Sequence, residues 1–444
     1  MKPPKFLKSK HCIAVVGLYR SGKTVFTTSF INHIQNHRPE YLSLKNGSVR
    51  ITFDQELPLT NGFERFPYER YRFNKSEWPD KTKACFQYRC SFFRSDWRYT
   101  RGEVSLIDIP GERLADIPMA KLSYDQWSDW LERVLQDSEY QAHAQEFLAT
   151  CAKDSGSEAA EIVNAYRTLL GNLYRSYRPI ITPSTFLLRE NGVFTGLNVE
   201  NGDLSNSFAG LDDSSQFTPL PRNIRDAHPA LYKEFEQRFL AYKNKIARPL
   251  FKMFANCNEL AVLIDVTTLL SANAGMYNGN RALLEQLMKI LSPGHGLGGV
   301  SLNLLKSFTG GHWRNAGISR IAVVATKADK VHDSKRDKLT SLVQEMADGI
   351  VDRYVHDKMQ LDCRYFSCAA VRSTESLDDG TLKGRLPSDP ENLTTYPSTD
   401  LPDHWPGNWQ EGDYVYPNVK PAFPENIARP PRHLGMESII EFLL

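Results

Sequence analysis

Short apolar runs alternate along the chain with stretches of helical periodicity, and this alternation predicts the fold. The apolar run 13–16 stops at Gly17 and a helical pattern begins at Thr24, which predicts a strand, a glycine loop and a helix. Further apolar runs predict strands covered on both faces, at 84–93, 103–109, 259–266, 320–326 and 364–370. Helical patterns at 280–291 and 334–359 fall between the later strands. The sequence therefore predicts an α/β fold with a mainly parallel sheet flanked by helices.

Three stretches interrupt this alternation and are predicted to be insertions. Residues 39–83 are rich in aromatic and basic side chains, and residues 113–256 carry helical periodicity over a length sufficient for a helical subdomain. Residues 372–432 are crowded with Pro, Asp, Asn and Gly, which predicts an extended surface segment. The predicted main domain consists of the remaining parts, 8–112, 257–371 and 433–444.

Composition narrows the class of protein. Of 444 residues, 41% are hydrophobic and 24% charged, which excludes a mainly disordered chain. With 54 Lys and Arg against 52 Asp and Glu the net charge is only +2, so no overall field attracts nucleic acid or an anionic membrane. The seven cysteines are too sparse for a disulfide framework and indicate a reducing compartment. No apolar run reaches the ~20 residues of a membrane helix, and we expect a soluble protein without an export signal.

A phosphate-binding motif occupies residues 17–24. The segment GLYRSGKT matches GxxxxGK[ST] and lies between a predicted strand and a predicted helix, as such a loop requires. Backbone N–H groups and the helix N-terminus then surround the phosphates, Lys23 reaches the β- and γ-phosphates, and the Thr24 hydroxyl can ligate Mg²⁺. The residues predicted to contact a nucleotide here are Gly17, Tyr19, Arg20, Ser21, Gly22, Lys23, Thr24 and Val25.

A second motif ends the predicted strand at 103–109. Asp108 emerges at the carboxyl end of this strand and Gly111 follows three residues later. Alone, this pattern also describes ordinary strand-to-loop turns. After a phosphate loop, it predicts that Asp108 holds Mg²⁺ and that the Gly111 amide senses a γ-phosphate.

Two later strands run into TKAD (326–329) and SCA (367–369), and in this order the four motifs resemble the signature of the GTPase superclass of P-loop proteins. The resemblance implies that the TKAD carboxylate accepts hydrogen bonds from guanine N1 and N2, that the TKAD lysine stem lies over the ring, and that an SCA backbone amide contacts guanine O6. Adenine lacks the N1 and N2 donor pair and would leave a buried carboxylate unpaired. Thr in place of the commoner Asn, and the missing Lys of the last motif, depart from the signature. The residues assigned to the base are Thr326, Lys327, Asp329, Ser367, Cys368 and Ala369.

One further element of that signature is a switch threonine before the second strand. Thr82 is the best placed, with Thr60 and Thr100 as alternatives, and its hydroxyl would ligate Mg²⁺. A solvated turn threonine after Pro79 is an equally good interpretation. The predicted metal ligands are thus Thr24, Thr82 and Asp108.

Hydrolysis needs a positioned water and a neutralised phosphoryl group. Glu112 follows Gly111 where small signalling GTPases carry Gln, and its charge repels the γ-phosphate. Arg113 and Arg20 are alternative sources of a positive charge, although a surface Glu–Arg pair explains these residues equally simply. The predicted catalytic residues are Lys23, Thr82, Gly111 and Glu112, and we expect slow unassisted turnover.

Nearly the whole chain resembles the YcjX-like family of bacterial P-loop proteins. The similarity is carried by GLYRSGKT, WPDKT, LIDIPGE, the helical insertion before ELAVLIDV, TKADKVH and the Pro-rich stretch before the last helix. It implies a cytoplasmic, stress-associated bacterial GTPase that uses GTP or GDP with Mg²⁺.

Several alternatives stay open. Segment 63–101 holds ten Lys and Arg among twelve aromatic residues, which is typical of single-stranded nucleic-acid binding, yet arginines packed over aromatic rings are the favoured explanation. The apolar stripe at Trp127, Trp130 and Leu131 predicts a subdomain core, or a groove for an unknown protein effector. Rival functions are an ATPase, a small-molecule kinase, or a scaffold that binds nucleotide without hydrolysing it. Contact with a membrane surface is undetermined.

Overall fold

The computed structural model describes residues 7–17, 21–60, 63–73, 78–79, 85–136, 138–153, 158–175, 184–187, 211, 213–291, 318–355, 361–422 and 429–444. These residues divide into two compact units. The first comprises the described parts of 7–111, 256–277 and 318–444, and the second those of 112–255 and 278–291. The second unit thus includes 278–291, which the sequence analysis placed in the main domain.

The first unit is built on one large sheet. Its strands are β1 (Leu7–Gly17), β2 (Ile51–Glu56), β3 (Glu64–Arg65), β4 (Phe86–Arg94), β5 (Thr100–Asp108), β6 (Glu259–Ile264), β7 (Arg320–Ala325) and β8 (Asp362–Ser367). The order across the sheet is β2-β4-β5-β1-β6-β7-β8, and β3 pairs with β4. Every pair from β5 to β8 is parallel, whereas β4 pairs antiparallel with β2 and β5. The predicted α/β fold with a mainly parallel sheet is confirmed.

The helices follow the predicted periodic segments closely. In chain order they are α1 (Lys23–Gln35), α2 (Tyr68–Phe73), α3 (Tyr124–Leu135), α4 (Ser138–Cys151), α5 (Ala159–Arg175), α6 (Ser184–Leu187), α7 (Arg222–Ala227), α8 (Pro229–Tyr242), α9 (Arg248–Ala255), α10 (Val266–Ser271), α11 (Ala274–Leu291), α12 (Arg336–Val355) and α13 (Met436–Leu443). A 3₁₀ helix spans Gly111–Ala120 and a π-helical turn spans Lys243–Ala247. None of the described helices is long and apolar enough to cross a membrane.

The core of the first unit explains its near-continuous apolar strands. β6 is buried at every position because neighbours cover both of its faces. One apolar cluster joins β1 to the helix that follows it and to the last helix, through Ile13, Phe30, Ile34 and Ile440. This packing holds α1 against the sheet directly after the predicted phosphate loop.

The Pro-rich segment 372–432 differs from the expected extended segment. It contains an antiparallel sheet of β9 (Thr374–Ser376), β10 (Thr381–Leu386) and β11 (Asp389–Pro397). Gly380 (φ 82°) makes the turn into β10, since this backbone conformation strongly favours glycine. The indole N–H groups of Trp405 and Trp409 donate to backbone carbonyls of α12 and α10 at 2.7 and 3.3 Å. Isolated apolar anchors of this kind leave no periodic signal in the sequence.

The second unit has a helical core of its own. Trp127 and Leu131 are fully buried in it, while Trp130 packs at its margin, so the predicted apolar stripe forms a subdomain core. Ser123 and Gln126 form a capping box that fixes the start of α3. The Tyr242 hydroxyl donates to the buried Asp116 carboxylate at 2.7 Å, which links α8 to the 3₁₀ helix after Gly111.

Candidate functional site

The phosphate loop connects β1 to α1, as predicted. Gly22 caps α1 with φ 82°, in the left-handed region that favours glycine. Lys23 is buried and its Nζ donates to the Gly17 carbonyl oxygen at 2.8 Å, so the ammonium group turns back over the loop. Tyr19 and Arg20, both predicted to contact nucleotide, lie outside the described residues.

Ser21 and Gly17 pack tightly inside this loop. A Cβ at Gly17 would collide with the Ser21 hydroxyl and lie 2.6 Å from the Leu263 carbonyl oxygen, so only glycine fits. The Ser21 hydroxyl is buried and has no hydrogen-bond partner among the described residues. A buried polar group of this kind is expected to bind a ligand atom or water.

The second motif lies directly beside the phosphate loop. β5 pairs in parallel with β1 and brings the buried Asp108 level with Val15, two residues before the loop. A Cβ at Gly111 would collide with the Gly17 carbonyl oxygen and lie 3.1 Å from Lys23 Nζ. Tertiary structure therefore brings Gly111 close to the phosphate-loop lysine.

The oxygen donors at this edge suit a magnesium ion. Thr24 offers a hydroxyl and Asp108 a carboxylate, and both side chains are buried. Mg²⁺ typically takes one or two protein oxygens together with substrate phosphates. Among the described residues no cluster of three His, Cys, Asp or Glu side chains could hold a metal by itself. The residues present therefore fit a cation carried in with a nucleotide.

The TKAD motif lies at the carboxyl end of β7. Thr326 N–H donates to the Ile264 carbonyl at 2.8 Å, and Lys327 adopts a left-handed conformation with φ 57°. The Asp329 carboxylate is buried and accepts the Ser373 N–H at 2.8 Å. Burial raises the pKa of Asp329, and the hydrogen bond from Ser373 opposes that rise.

Asp265 is a site residue that the sequence analysis missed. It follows β6 and its carboxylate lies 2.6 Å from Lys327 Nζ. It also accepts hydrogen bonds from the Thr267 hydroxyl (2.8 Å) and from the Thr268 amide and hydroxyl (2.9 and 2.6 Å). Burial would raise the pKa of Asp265, but the ammonium groups of Lys327 and Lys330 outweigh burial and hold it far below its ordinary value.

A signal for Asp265 was present in the sequence. The tripeptide LID ends the strand at 106–108 and recurs at 263–265. In both places a carboxylate follows an apolar strand, at the edge where parallel strands carry ligand sites.

The SCA motif is hydrogen-bonded to neighbouring segments. The amide of Cys368 donates to the Ala325 carbonyl at 2.8 Å and the amide of Ala369 to the Leu434 carbonyl at 3.0 Å. The Cys368 carbonyl accepts the Ala328 N–H at 3.0 Å, so Cys368 braces the TKAD loop. The contact of an SCA amide with guanine O6 stays a prediction.

The predicted switch threonine, Thr82, and the side chain of the predicted water-positioning residue, Glu112, lie outside what the structure describes. The alternative Thr60 has its amide and hydroxyl bonded to Gln87 Oε1, at 2.8 and 3.1 Å. The other alternative, Thr100, is wrong, because it pairs with Leu7 at the amino ends of β5 and β1, away from the phosphate loop.

A shallow open cleft adjoins the phosphate loop. Val25, the last residue of the predicted phosphate contact set, lines it together with Asn32 of α1. Arg72 and Arg429 also line it. Because Val25 directly follows Thr24, the cleft begins next to the phosphate loop.

The aromatic and basic segment 63–101 follows the favoured interpretation. Arg94 is buried, lies 4.7 Å from the Trp97 ring centre and pairs with Asp96 at 3.0 Å. Arg72 lies over Tyr68, with 5.6 Å from its guanidinium carbon to the ring centre. These arginines serve packing within the unit.

The fold, together with the motifs at the carboxyl ends of its parallel strands, defines the class of protein. It is a P-loop NTPase fold with a mostly parallel sheet flanked by helices. The model of the YcjX-like family, DUF463, matches residues 12–444, and the chain belongs to this family. The Ras-like GTPase YcjX of Escherichia coli K12 is 25% identical over 471 aligned residues, covering 97% of this chain and 94% of that protein. The Ras-like GTPase YcjX of Shewanella oneidensis is 25% identical over 380 residues, covering 75% of this chain and 71% of that one.

Proposed function

We propose that this protein binds guanine nucleotide and hydrolyses GTP to GDP and phosphate with Mg²⁺. The observation that carries the proposal is the contact of Gly111 with both Gly17 and Lys23. This contact supports the proposal, because the residue predicted to sense a γ-phosphate lies close to the lysine predicted to bind the same group. The relatives named Ras-like GTPase support the choice of reaction.

At the phosphate end, this chain's own groups bind and orient the nucleotide. Lys23, whose ammonium group already donates to the Gly17 carbonyl, neutralises charge on the β- and γ-phosphates. Thr24 and Asp108 would hold the magnesium ion. When bound, that ion neutralises charge on the transferring phosphoryl group.

At the base end, Asp329 reads guanine. One of its oxygens is fixed by the Ser373 amide, which orients the carboxylate before a ligand arrives. Lys327 is held by Asp265 at 2.6 Å, so its stem is positioned for the ring. Because adenine offers no paired donors, a buried Asp329 discriminates against ATP.

The family resemblance extends the proposal to a bacterial, cytoplasmic, stress-associated role with an unknown protein effector on the helical unit. The bond between Asp116 and Tyr242 supports the effector proposal, because it ties the segment after Gly111 into that unit's core. Hydrogen exchange of residues 112–255 should differ between GDP and a GTP analogue. Identical exchange would exclude this coupling.

Equilibrium binding of fluorescent GTP and ATP analogues with Mg²⁺ tests the proposal. We expect GTP to bind at least ~100-fold more tightly than ATP. Lys23→Ala should abolish binding of both, and Asp329→Ala should relax the preference for guanine. Lys8→Ala and Asp362→Ala, at exposed ion pairs away from the motifs, are the matched controls.

Two results would replace the proposed function. Equal or tighter ATP binding would make TKAD incidental and favour an ATPase or a small-molecule kinase. Selective GTP binding without phosphate release in the presence of Mg²⁺ would define a nucleotide-dependent scaffold.

A further inference from the structure

Two cysteine thiols meet between β1 and the start of β6. Cys12 lies within β1 and Cys257 lies two residues before β6, with their sulfur atoms 3.6 Å apart. Neither cysteine is part of a disulfide in this structure. The contact joins positions 245 residues apart in sequence, so the fold alone brings them together.

The backbone around this pair is firmly held. The Cys12 N–H donates to Asn258 Oδ1 at 2.7 Å, and the Asn258 N–H donates to the Cys12 carbonyl at 3.0 Å. The Asn258 carbonyl accepts the Ser319 N–H at 2.8 Å, which ties the same point to the start of β7. A disulfide needs sulfur atoms ~2.05 Å apart, so closure must bring the two sulfur atoms closer by about 1.5 Å.

The two thiols are chemically unequal. The hydrogen bond between the two thiols is the largest influence on the pKa of Cys12 and lowers it, outweighing burial. The same contact, together with burial, raises the pKa of Cys257 well above its ordinary value. Cys12 is partly exposed and Cys257 is buried. One thiol is therefore suited to attack a soluble oxidant, and the other is shielded beside it.

Polar neighbours support a thiolate at Cys12. The register across β4, β5 and β1 places Arg89 beside Ser105 and Ser105 beside Cys12. The Ser105 hydroxyl and the Arg89 charge both lower the pKa of Cys12, while Glu259 opposes them. In contrast, burial raises the pKa of Cys90, Cys151 and Cys363.

We propose that Cys12 and Cys257 form a reversible disulfide when the protein meets a hydroperoxide. The Cys12 thiolate attacks one peroxide oxygen, the O–O bond breaks, and the departing hydroxide takes up a proton to form water. The resulting sulfenic acid is attacked by the Cys257 sulfur. The S–S bond forms, the S–O bond breaks, and the Cys257 proton leaves with the second water. Two thiols are oxidised, and hydrogen peroxide is reduced to two waters.

The disulfide would link the strands that lead to the two ends of the site. β1 runs from Cys12 to Gly17, where the phosphate loop begins, and β6 runs to Ile264, just before Asp265. The inference itself needs no nucleotide, because it rests on the thiol pair alone.

Peptide mapping of the full-length protein after brief hydrogen peroxide treatment tests the proposal. We expect a peptide that joins Cys12 to Cys257, an intact mass about 2 Da lower, and recovery of both thiols with dithiothreitol. The link should form at least ~10-fold faster than oxidation of Cys363, a half-exposed cysteine whose pKa is raised to about 11.

Two single variants separate the steps. Cys257→Ser should leave Cys12 to progress to sulfinic acid, and Cys12→Ser should protect Cys257 from oxidation. Cys363→Ser is the matched control, and it should form the link between Cys12 and Cys257 as fast as the wild type does. Protein unfolded in urea should lose the preference for this pair. The proposal is overturned if Cys12 reaches sulfinic acid in the wild type without a link, if both thiols stay reduced while Cys363 oxidises, or if another pair joins faster.

Discussion

The phosphate end and the base end of the site are built on different principles. At the phosphate end, glycines allow backbone and side-chain groups to approach closely: Gly17 packs on Ser21, and Gly111 packs on Lys23. At the base end, two buried carboxylates are held in place. Asp265 accepts hydrogen bonds from Thr267 and Thr268 and pairs with Lys327, and Asp329 accepts the Ser373 amide from another segment.

The difference shows where each end is preorganised. The Ser21 hydroxyl is buried with no partner among the described residues, so the phosphate loop has capacity for a ligand. Asp265 already accepts three hydrogen bonds and an ion pair from Lys327. The base end is therefore fixed before binding, while the phosphate end is completed by its ligand.

The largest expected effect tests the close approach at the phosphate end. Gly111→Ala adds a methyl group that collides with the Gly17 carbonyl oxygen and pushes the segment away from Lys23. We expect GTP hydrolysis to fall at least ~100-fold, with a smaller loss of GDP affinity, because the displaced amide serves the γ-phosphate. Single-turnover phosphate release and GDP titration measure the two quantities.

Gly407→Ala is the control for that substitution, since a Cβ there meets nothing within 4 Å. Overpacking at Gly111 should lower the free energy of unfolding by only about 1–3 kcal/mol, which a urea titration checks. Unchanged hydrolysis in a folded Gly111→Ala protein would contradict the assigned role of this glycine.

The next largest effect is a difference in stability between variants of the two carboxylates at the base end, Asp265 and Asp329. Asp265→Asn keeps a cap for α10 but leaves Lys327 without its counter-ion, so we expect a loss of about 1.5–3 kcal/mol in unfolding free energy. Asp329→Asn should be neutral or stabilising, because burial raises the pKa of Asp329 and so disfavours its charged form. Denaturant titrations at pH 7 compare the two.

Asp362→Asn, which removes an exposed ion pair with Arg364, should cost only about 0–1 kcal/mol. Destabilisation of similar size in both base-end variants would show that the two carboxylates do not differ in this way. A shift in guanine preference is expected from Asp329→Asn whatever its stability.

The smallest effect compares the acid sensitivity of the two ends. His33, on the helix of the phosphate end, is fully buried, and neither ring nitrogen has a hydrogen-bond partner among the described residues. Burial, then the charges of His433 and His37, lower its pKa well below 6.5, so the unfolded chain binds the proton more readily. The stability of the fold with a neutral His33 is therefore fully present above pH 6.5, and it is lost as pH falls below that value.

Asp265 behaves in the same sense, because its pKa is also lowered, but at a lower pH. Its depressed pKa gives stability that persists down to about its unfolded value of 3.8 and is lost only below it. Acidification from pH 7 to 5 should therefore lower the free energy of unfolding through His33 on α1, before Asp265 contributes, by up to ~1.4 kcal/mol per pH unit. Urea titrations at several pH values give the dependence of the unfolding free energy on pH. This dependence should be weaker in His33→Leu than in the wild type, and unchanged in the exposed-site control His404→Leu. If the unfolding free energy of His33→Leu depended on pH as strongly as that of the wild type, His33 would be excluded as the group responsible.

Much of the fold and of the phosphate end could be predicted from the sequence. The strand and helix patterns placed α1 and β5 within a few residues, although β1 begins at Leu7, six residues before the predicted run. GxxxxGK[ST] placed Lys23 and Thr24 between β1 and α1. The base end could be predicted only in part, because Asp265 was missed. The roles of TKAD and SCA in contacting the base stay predictions.

The reason lies in the range of the interactions. Glycine spacing, helix capping and alternating apolar runs act over a few neighbouring residues, so the sequence by itself determined the fold class and the phosphate loop. Partners far apart in the chain meet only when the strands pair. The tertiary structure alone decided that Gly111 packs on Lys23, that Lys327 pairs with Asp265, and that Cys12 meets Cys257, because burial and register select such contacts from many possible ones.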